Sequence, residues 1–166
     1  MQTICRLIPL SPNDAASLVA NPASLPQRVG SAKDYSDVYR YWHAIEYLLA
    51  QHRPGSAAAK WLTMGATLSA AGADIPSARV LSDAEVRQID AELRHIPPDD
   101  LAAHYDAAAL DAAGIYPATW QEWEGTFDPL GQVLEHYFFL QQFAARCATA
   151  NAAALLYFDR LAEGAV

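Results

Sequence analysis

The sequence predicts an α+β fold, a mostly helical single domain spanning residues 1–166 whose first and last segments are strands sharing a small sheet. Three observations carry that expectation. "TICRLIPL" near the start and "AALLYFD" near the end are short, apolar, rich in β-branched or aromatic residues, and bounded by turn formers. Between them, several stretches space apolar side chains as a helix does, most clearly Val38, Tyr41, Trp42, Ile45, Leu48 and Leu49. A composition of 52% hydrophobic and 18% charged residues fills one core and excludes large-scale disorder.

The elements follow in order. Residues 3–9 and 153–159 are expected as adjacent strands, because each is too short and too apolar to stand unpaired. Ser11 caps a first helix, with Pro12 at its first position and Asp14 completing an S-x-x-D box, and the helix ends near Pro22. Residues 21–36 hold Pro, Gly and small polar residues and read as a loop. The stripe from Val38 predicts a helix that buries Trp42, Ile45 and Leu49 and stops near Pro54.

Residues 56–81 have weak periodicity and predict a short helix, an irregular span and an extended piece at Ala78 to Leu81. Ser82 and Glu85 form a second capping box, and Val86, Ile89, Leu93 and Ile96 give the following helix one apolar face. "PPDD" leads into a short helix through Tyr105, with another through Leu110 to Ala113. "GIYP" is a turn. The longest helical pattern runs from about Trp120 to Ala150, its regular part starting near Leu130 because Gly125, Pro129 and Gly131 interrupt what precedes it.

Composition also narrows function. The longest apolar runs, such as "YFFLQQFAA", are broken well before the roughly 20 residues that cross a bilayer, and "MQTICRLIPLSPND" lacks the layout of a signal peptide. A soluble, cytoplasmic protein is expected. Cys5 and Cys147 fit no metal or disulfide pattern and are expected as reduced, buried thiols. Charge is uneven: residues 1–82 carry seven Lys/Arg against five Asp/Glu, whereas residues 83–135 carry two against twelve. Such an acidic middle third disfavours nucleic acid and membranes and would attract a basic protein partner, unless it serves solubility alone.

Local motifs of chemistry are sparse. Glu92 and His95 make one E-x-x-H, but a dimetal carboxylate site needs a second, and H-E-x-x-H is absent. No nucleophile elbow surrounds Ser69, and there is no glycine-rich phosphate loop. No catalytic residue, metal or cofactor is therefore assigned.

Two sets of residues remain. Tyr39, His43 and Glu46 at i, i+4 and i+7 would align a phenol, an imidazole and a carboxylate along one flank of the helix, suited to a general base or a polar anchor. The alternative is a boundary His43 bonded to a backbone carbonyl. Arg79 would bind an anion or pair with an acid from the next helices. Tyr116, Pro117, Trp120 and Trp123 make an aromatic corner that either lines a groove or anchors helices. The second set is acidic: Asp90, Glu92, Asp99, Asp100 and Asp106, expected to face outward as one continuous surface because burying an unpaired carboxylate is costly.

"LSPNDAASLVANP", "YWHAIEYLL", "SARVLSDAEV", "HYDAAALDAAGIYP" and "ALLYFD", in this order and spacing, resemble the YfbM-like family of bacterial proteins, a domain of unknown function. The resemblance covers roughly Met1 to Asp159 and implies a compact α+β domain with no established activity. The leading expectation is a non-enzymatic interaction protein, of a neutralising or immunity type, that presents its acidic third to a basic partner. The alternative is a small enzyme or ligand-binding domain with a pocket around His43, Glu46, Arg79 and Tyr116.

Overall fold

Strands Gln2–Leu10 (β1), Ser36–Tyr39 (β2), Ala66–Thr67 (β3), Arg79–Leu81 (β4) and Ala153–Leu161 (β5) form one antiparallel sheet in the order β2-β1-β5-β4-β3. The structure is a computed structural model and describes residues 2–68 and 77–161. The two terminal strands pair along their whole length, Gln2 opposite Leu161 through Leu10 opposite Ala153, as expected. They lie at the centre of the sheet, so both are covered on both faces. Alternate residues therefore feed two apolar layers.

Ile8, Leu10, Val80 and Leu155 pack with Ala15 and Leu18 of helix Pro12–Ala20 (α1) and with Leu25 of helix Leu25–Ser31 (α2). The larger layer holds Cys5, Leu7, Leu81, Leu156 and Phe158. Against it lie helices Trp42–His52 (α3), Asp83–Leu93 (α4), Pro98–Ala102 (α5), Ala107–Ala112 (α6), Trp120–Glu124 (α7) and Pro129–Thr149 (α8). Both cysteine thiols are free and buried, and burial pushes Cys147 up to about 11.

Local capping explains why several boundaries fall where the sequence puts them. Ser11 accepts the Asp14 N–H at 3.0 Å, and at Ser82 both halves of the capping box with Glu85 are formed. Trp42, Ile45 and Leu49 are buried as expected.

Two expectations are corrected. Residues 21–36 are not a loop: α2 lies within them, holding Leu25 and Val29 against the smaller layer, and Pro26 sits in its first turn, where a missing N–H costs nothing. The helix expected from Val38 begins only at Trp42, because Val38 and Tyr39 belong to β2 and pair with β1. The Asp37 carboxylate accepts the Tyr39 N–H at 2.6 Å and Tyr39 turns left-handed at φ 51°, so strand pairing and a side-chain-bonded turn override the helical stripe. The long regular helix starts at Pro129, close to the expected Leu130, and Gly125 to Asp128 separate it from α7. Most of the irregular span expected before β4, including Ser69, falls outside the described residues.

Gly65 fixes how the chain enters β3. Its φ is +79°, and a Cβ there would stand 2.3 Å from the Val80 carbonyl oxygen in the neighbouring strand. Gly55 also has a positive φ, +77°, but open space around it. Gly55→Ala is therefore expected to cost about 1–2 kcal/mol, the left-handed penalty alone, and Gly65→Ala clearly more, in urea unfolding. Equal losses would show that β4 yields freely at Val80.

Candidate functional site

The residues singled out by the sequence separate into three places. The first is the start of α3. Trp42 stacks on His43 at 5.1 Å and on Tyr116 at 5.7 Å, and meets Phe158 edge-on at 5.2 Å. Trp42 Nε1 donates to the Thr3 carbonyl at 3.2 Å, and the Thr3 N–H donates to the Tyr116 hydroxyl at 2.8 Å. Tyr116 and Trp42 thus satisfy both backbone groups of Thr3. His43 Nδ1 accepts the Tyr116 N–H at 3.0 Å, so its proton sits on Nε2, and burial holds its pKa down. Its partner is a backbone N–H, where a carbonyl was expected.

Glu46 lies one turn further along α3, half-buried, and no hydrogen bond or ion pair among the described residues reaches it. Burial pushes its pKa up to about 7. Its folded pKa exceeds the unfolded value of about 4.3, so the folded state binds more protons between these pH values and stability falls as pH rises through that window. Glu46→Gln is expected to raise stability by about 1–2 kcal/mol at pH 8, after discounting for partial exposure, and to change little at pH 4. A pH-independent effect in thermal melts would mean that Glu46 is solvated.

Tyr39 and Arg79 do not join this group. Tyr39 is on β2, and its hydroxyl donates to Gln2 Oε1 at 2.9 Å, which breaks the expected helical alignment with His43 and Glu46. Arg79 Nη1 donates to the carbonyls of Met64 at 3.3 Å and Gly65 at 3.2 Å, so it ties β4 to the turn before β3. It faces Leu156, which faces Leu7, four residues along β1 from the Thr3 that Tyr116 contacts. That spacing is roughly 13 Å along the strand alone. The four-residue pocket expected around His43, Glu46, Arg79 and Tyr116 is therefore not assembled, because neighbouring elements claim Arg79 first.

The second place is the acidic third, where several carboxylates accept backbone N–H groups and Asp90 is buried. Asp90, expected on the surface, is 3% exposed and ion-paired with Arg94. Glu92 accepts the Ala58 N–H at 2.7 Å, anchoring the 3-10 turn Ala58–Lys60. Asp106 caps α6 through the Ala109 N–H, and Asp111 accepts the N–H groups of Trp120 and Gln121. Those bonds hold the Asp111 carboxyl below its ordinary pKa. Asp83 pairs with Arg87. The expected surface loses Asp90 and half-buries Glu92, while Asp99, Asp100 and Asp106 stay exposed as expected, together with Glu122 and Glu124, with no ion pair among the described residues.

The third place was not singled out as a unit by the sequence. Tyr41, Trp120, Trp123 and His136 pack ring on ring, with Tyr41 4.8 Å from His136 and Trp120 5.3 Å from Trp123. The Arg40 guanidinium lies 4.4 Å over Trp123 and within 5.6 Å of Tyr39 and Tyr41. Arg40 Nε is buried without an acceptor among the described residues. Beside it a cavity of about 320 Å³ is lined by Arg40, Tyr41, Phe127, Asp128 and Gln132. Tyr105 is close by, its hydroxyl buried and its pKa raised by burial and then by Glu124 and Asp128. Among the described residues no group of His, Cys, Asp and Glu could hold a metal ion, and no helix is long and apolar enough to cross a membrane.

Comparison with known proteins agrees with this architecture. A family model described as Domain of unknown function (DUF1877) matches residues 1–157. The chain belongs to the DUF1877 family. The crystal structure of YfbM from Escherichia coli, a protein of unknown function, is similar with a TM-score of 0.73 over 94% of this chain and 99% of that one. At 13% identity that likeness shows a shared fold. No curated protein matches the chain. Membership of the DUF1877 family assigns no activity, and the chemistry has to be argued from the side chains above.

Proposed function

We propose that the protein is a non-enzymatic interaction module, of neutralising or immunity type, whose acidic lobe engages a basic protein surface. One observation carries this reading: residues 95–145 contain eight Asp/Glu and no Lys or Arg. The capping acids are structural, but Asp99, Asp100, Glu122 and Glu124 stand exposed on α5 and α7 with no cation in reach among the described residues. Like charges left unanswered on one lobe repel each other and favour a cationic partner, most strongly through faster association.

The test replaces these four acids by Asn and Gln and leaves Asp90, Glu92, Asp106 and Asp111 in place. The loss of favourable helix-terminus interactions at Asp99 and Asp100 is expected to cost at most about 1 kcal/mol. Capture of basic proteins from a lysate of the source cells is expected at low salt, to fall as added salt shortens the screening length below about 8–10 Å, and to be lost in the variant. Equal capture by the variant would reduce the lobe to a solvated surface.

A further inference from the structure

We propose that the cavity beside Arg40 binds a small zwitterion, of the class of free amino acids with an apolar side chain. This goes beyond the acidic-lobe reading and uses none of its four residues. Arg40, between the end of β2 and the start of α3, has its guanidinium 4.4 Å over the Trp123 ring, and no carboxylate lies within ion-pairing distance among the described residues. Its Nε is closed off from solvent with no acceptor among the described residues. A buried donor left unpaired is costly, so the hydrogen-bonding of this guanidinium is incomplete within the protein. Its charge is fixed, and its fork geometry suits a carboxylate.

The second charge in the cavity is Asp128. One of its oxygens accepts the Gly131 N–H at 2.9 Å as the cap of α8, and no hydrogen bond among the described residues takes the other. Gly131 allows that close seat, since a Cβ there would stand 2.3 Å from Asp128 Oδ2. The carboxylate is thereby held at the cavity rim. A simple anion attracted by Arg40 would meet the Asp128 charge, and a simple cation attracted by Asp128 would meet Arg40. A molecule carrying both charges satisfies both. Phe127, 38% exposed, adds an apolar wall, Gln132 an amide, and a volume of about 320 Å³ suits a ligand at the small end of the range.

Because Arg40 stacks on Trp123, tryptophan fluorescence together with titration calorimetry reports occupancy. The probes are leucine, phenylalanine, 3-phenylpropionate and phenethylamine, each added to the full chain. The two amino acids are expected to bind in the millimolar range, and the ions bearing a single charge about tenfold more weakly. Asp128→Ser, which keeps a capping oxygen, and Arg40→Gln are each expected to lower amino-acid affinity about tenfold while circular dichroism stays unchanged. Binding of 3-phenylpropionate or phenethylamine as tight as that of phenylalanine would overturn the zwitterion. So would the absence of binding by both amino acids to the wild-type chain, an outcome that does not depend on either variant folding.

Discussion

Trp120→Ala is expected to destabilise the protein by about 3–5 kcal/mol, the range for removing a fully buried aromatic side chain and leaving part of its volume empty. Trp120 is 0% exposed, and its ring sits between Tyr41, Tyr105 and Trp123. Its indole N–H donates to the Ile115 carbonyl at 2.9 Å in the interior. Truncation empties the space and removes one of two donors to that carbonyl, which keeps the Ala118 N–H at 2.8 Å. Trp120→Phe keeps most of the volume and loses only the donor, and with the Ala118 N–H still on the carbonyl its cost should be about 0.5–1.5 kcal/mol. Chemical unfolding of both variants separates the two contributions. Equal losses would mean that the hydrogen bond to Ile115, and not the packing of the ring, holds α7 in place.

The parts of this fold that were legible in the sequence are those whose causes are local. Ser11 with Asp14 and Ser82 with Glu85 announce helix starts, because a cap needs only residues three apart. The terminal strands were legible from composition, and their pairing followed from having no other way to cover two apolar segments. What escaped notice depends on distant partners. β2 looks helical in isolation and becomes a strand because β1 offers a free edge and Asp37 turns the chain at Tyr39. A propensity is a weak preference beside a ladder of backbone hydrogen bonds.

The candidate sites divide the same way. His43 and Tyr116 are brought together, across 73 residues, but Arg79 is spent on the carbonyls of Met64 and Gly65. Arg40 carried no motif, since its stacking partner Trp123 comes from the far side of the sequence and spacing along the chain is silent about it. The aromatic corner divides between its two expected roles: Trp120 is the buried anchor, and Trp123 is the ring that meets a charged group at the edge of a cavity.

Arg94→Ala should prove far more damaging than Asp90→Asn, although the two residues form a single ion pair. The Asp90 side chain is 5% exposed and that of Arg94 58%. Removing the arginine leaves an ionised carboxylate buried among α4 and α8 with its counter-charge gone, which costs of order 3 kcal/mol, the lower end of the range for a broken buried pair because the arginine was itself solvated. Removing the carboxylate charge leaves only an arginine in water, a change of about 1 kcal/mol or less. The double variant Asp90→Asn/Arg94→Ala should therefore be more stable than Arg94→Ala alone, a second substitution that repairs the first. Urea midpoints of the three variants measure this directly. If the two single variants lose the same stability, water reaches Asp90, and the inward turn of the acidic third at this position is wrong; if the double variant is the least stable of the three, the arginine acts through packing of its stem and not through its charge.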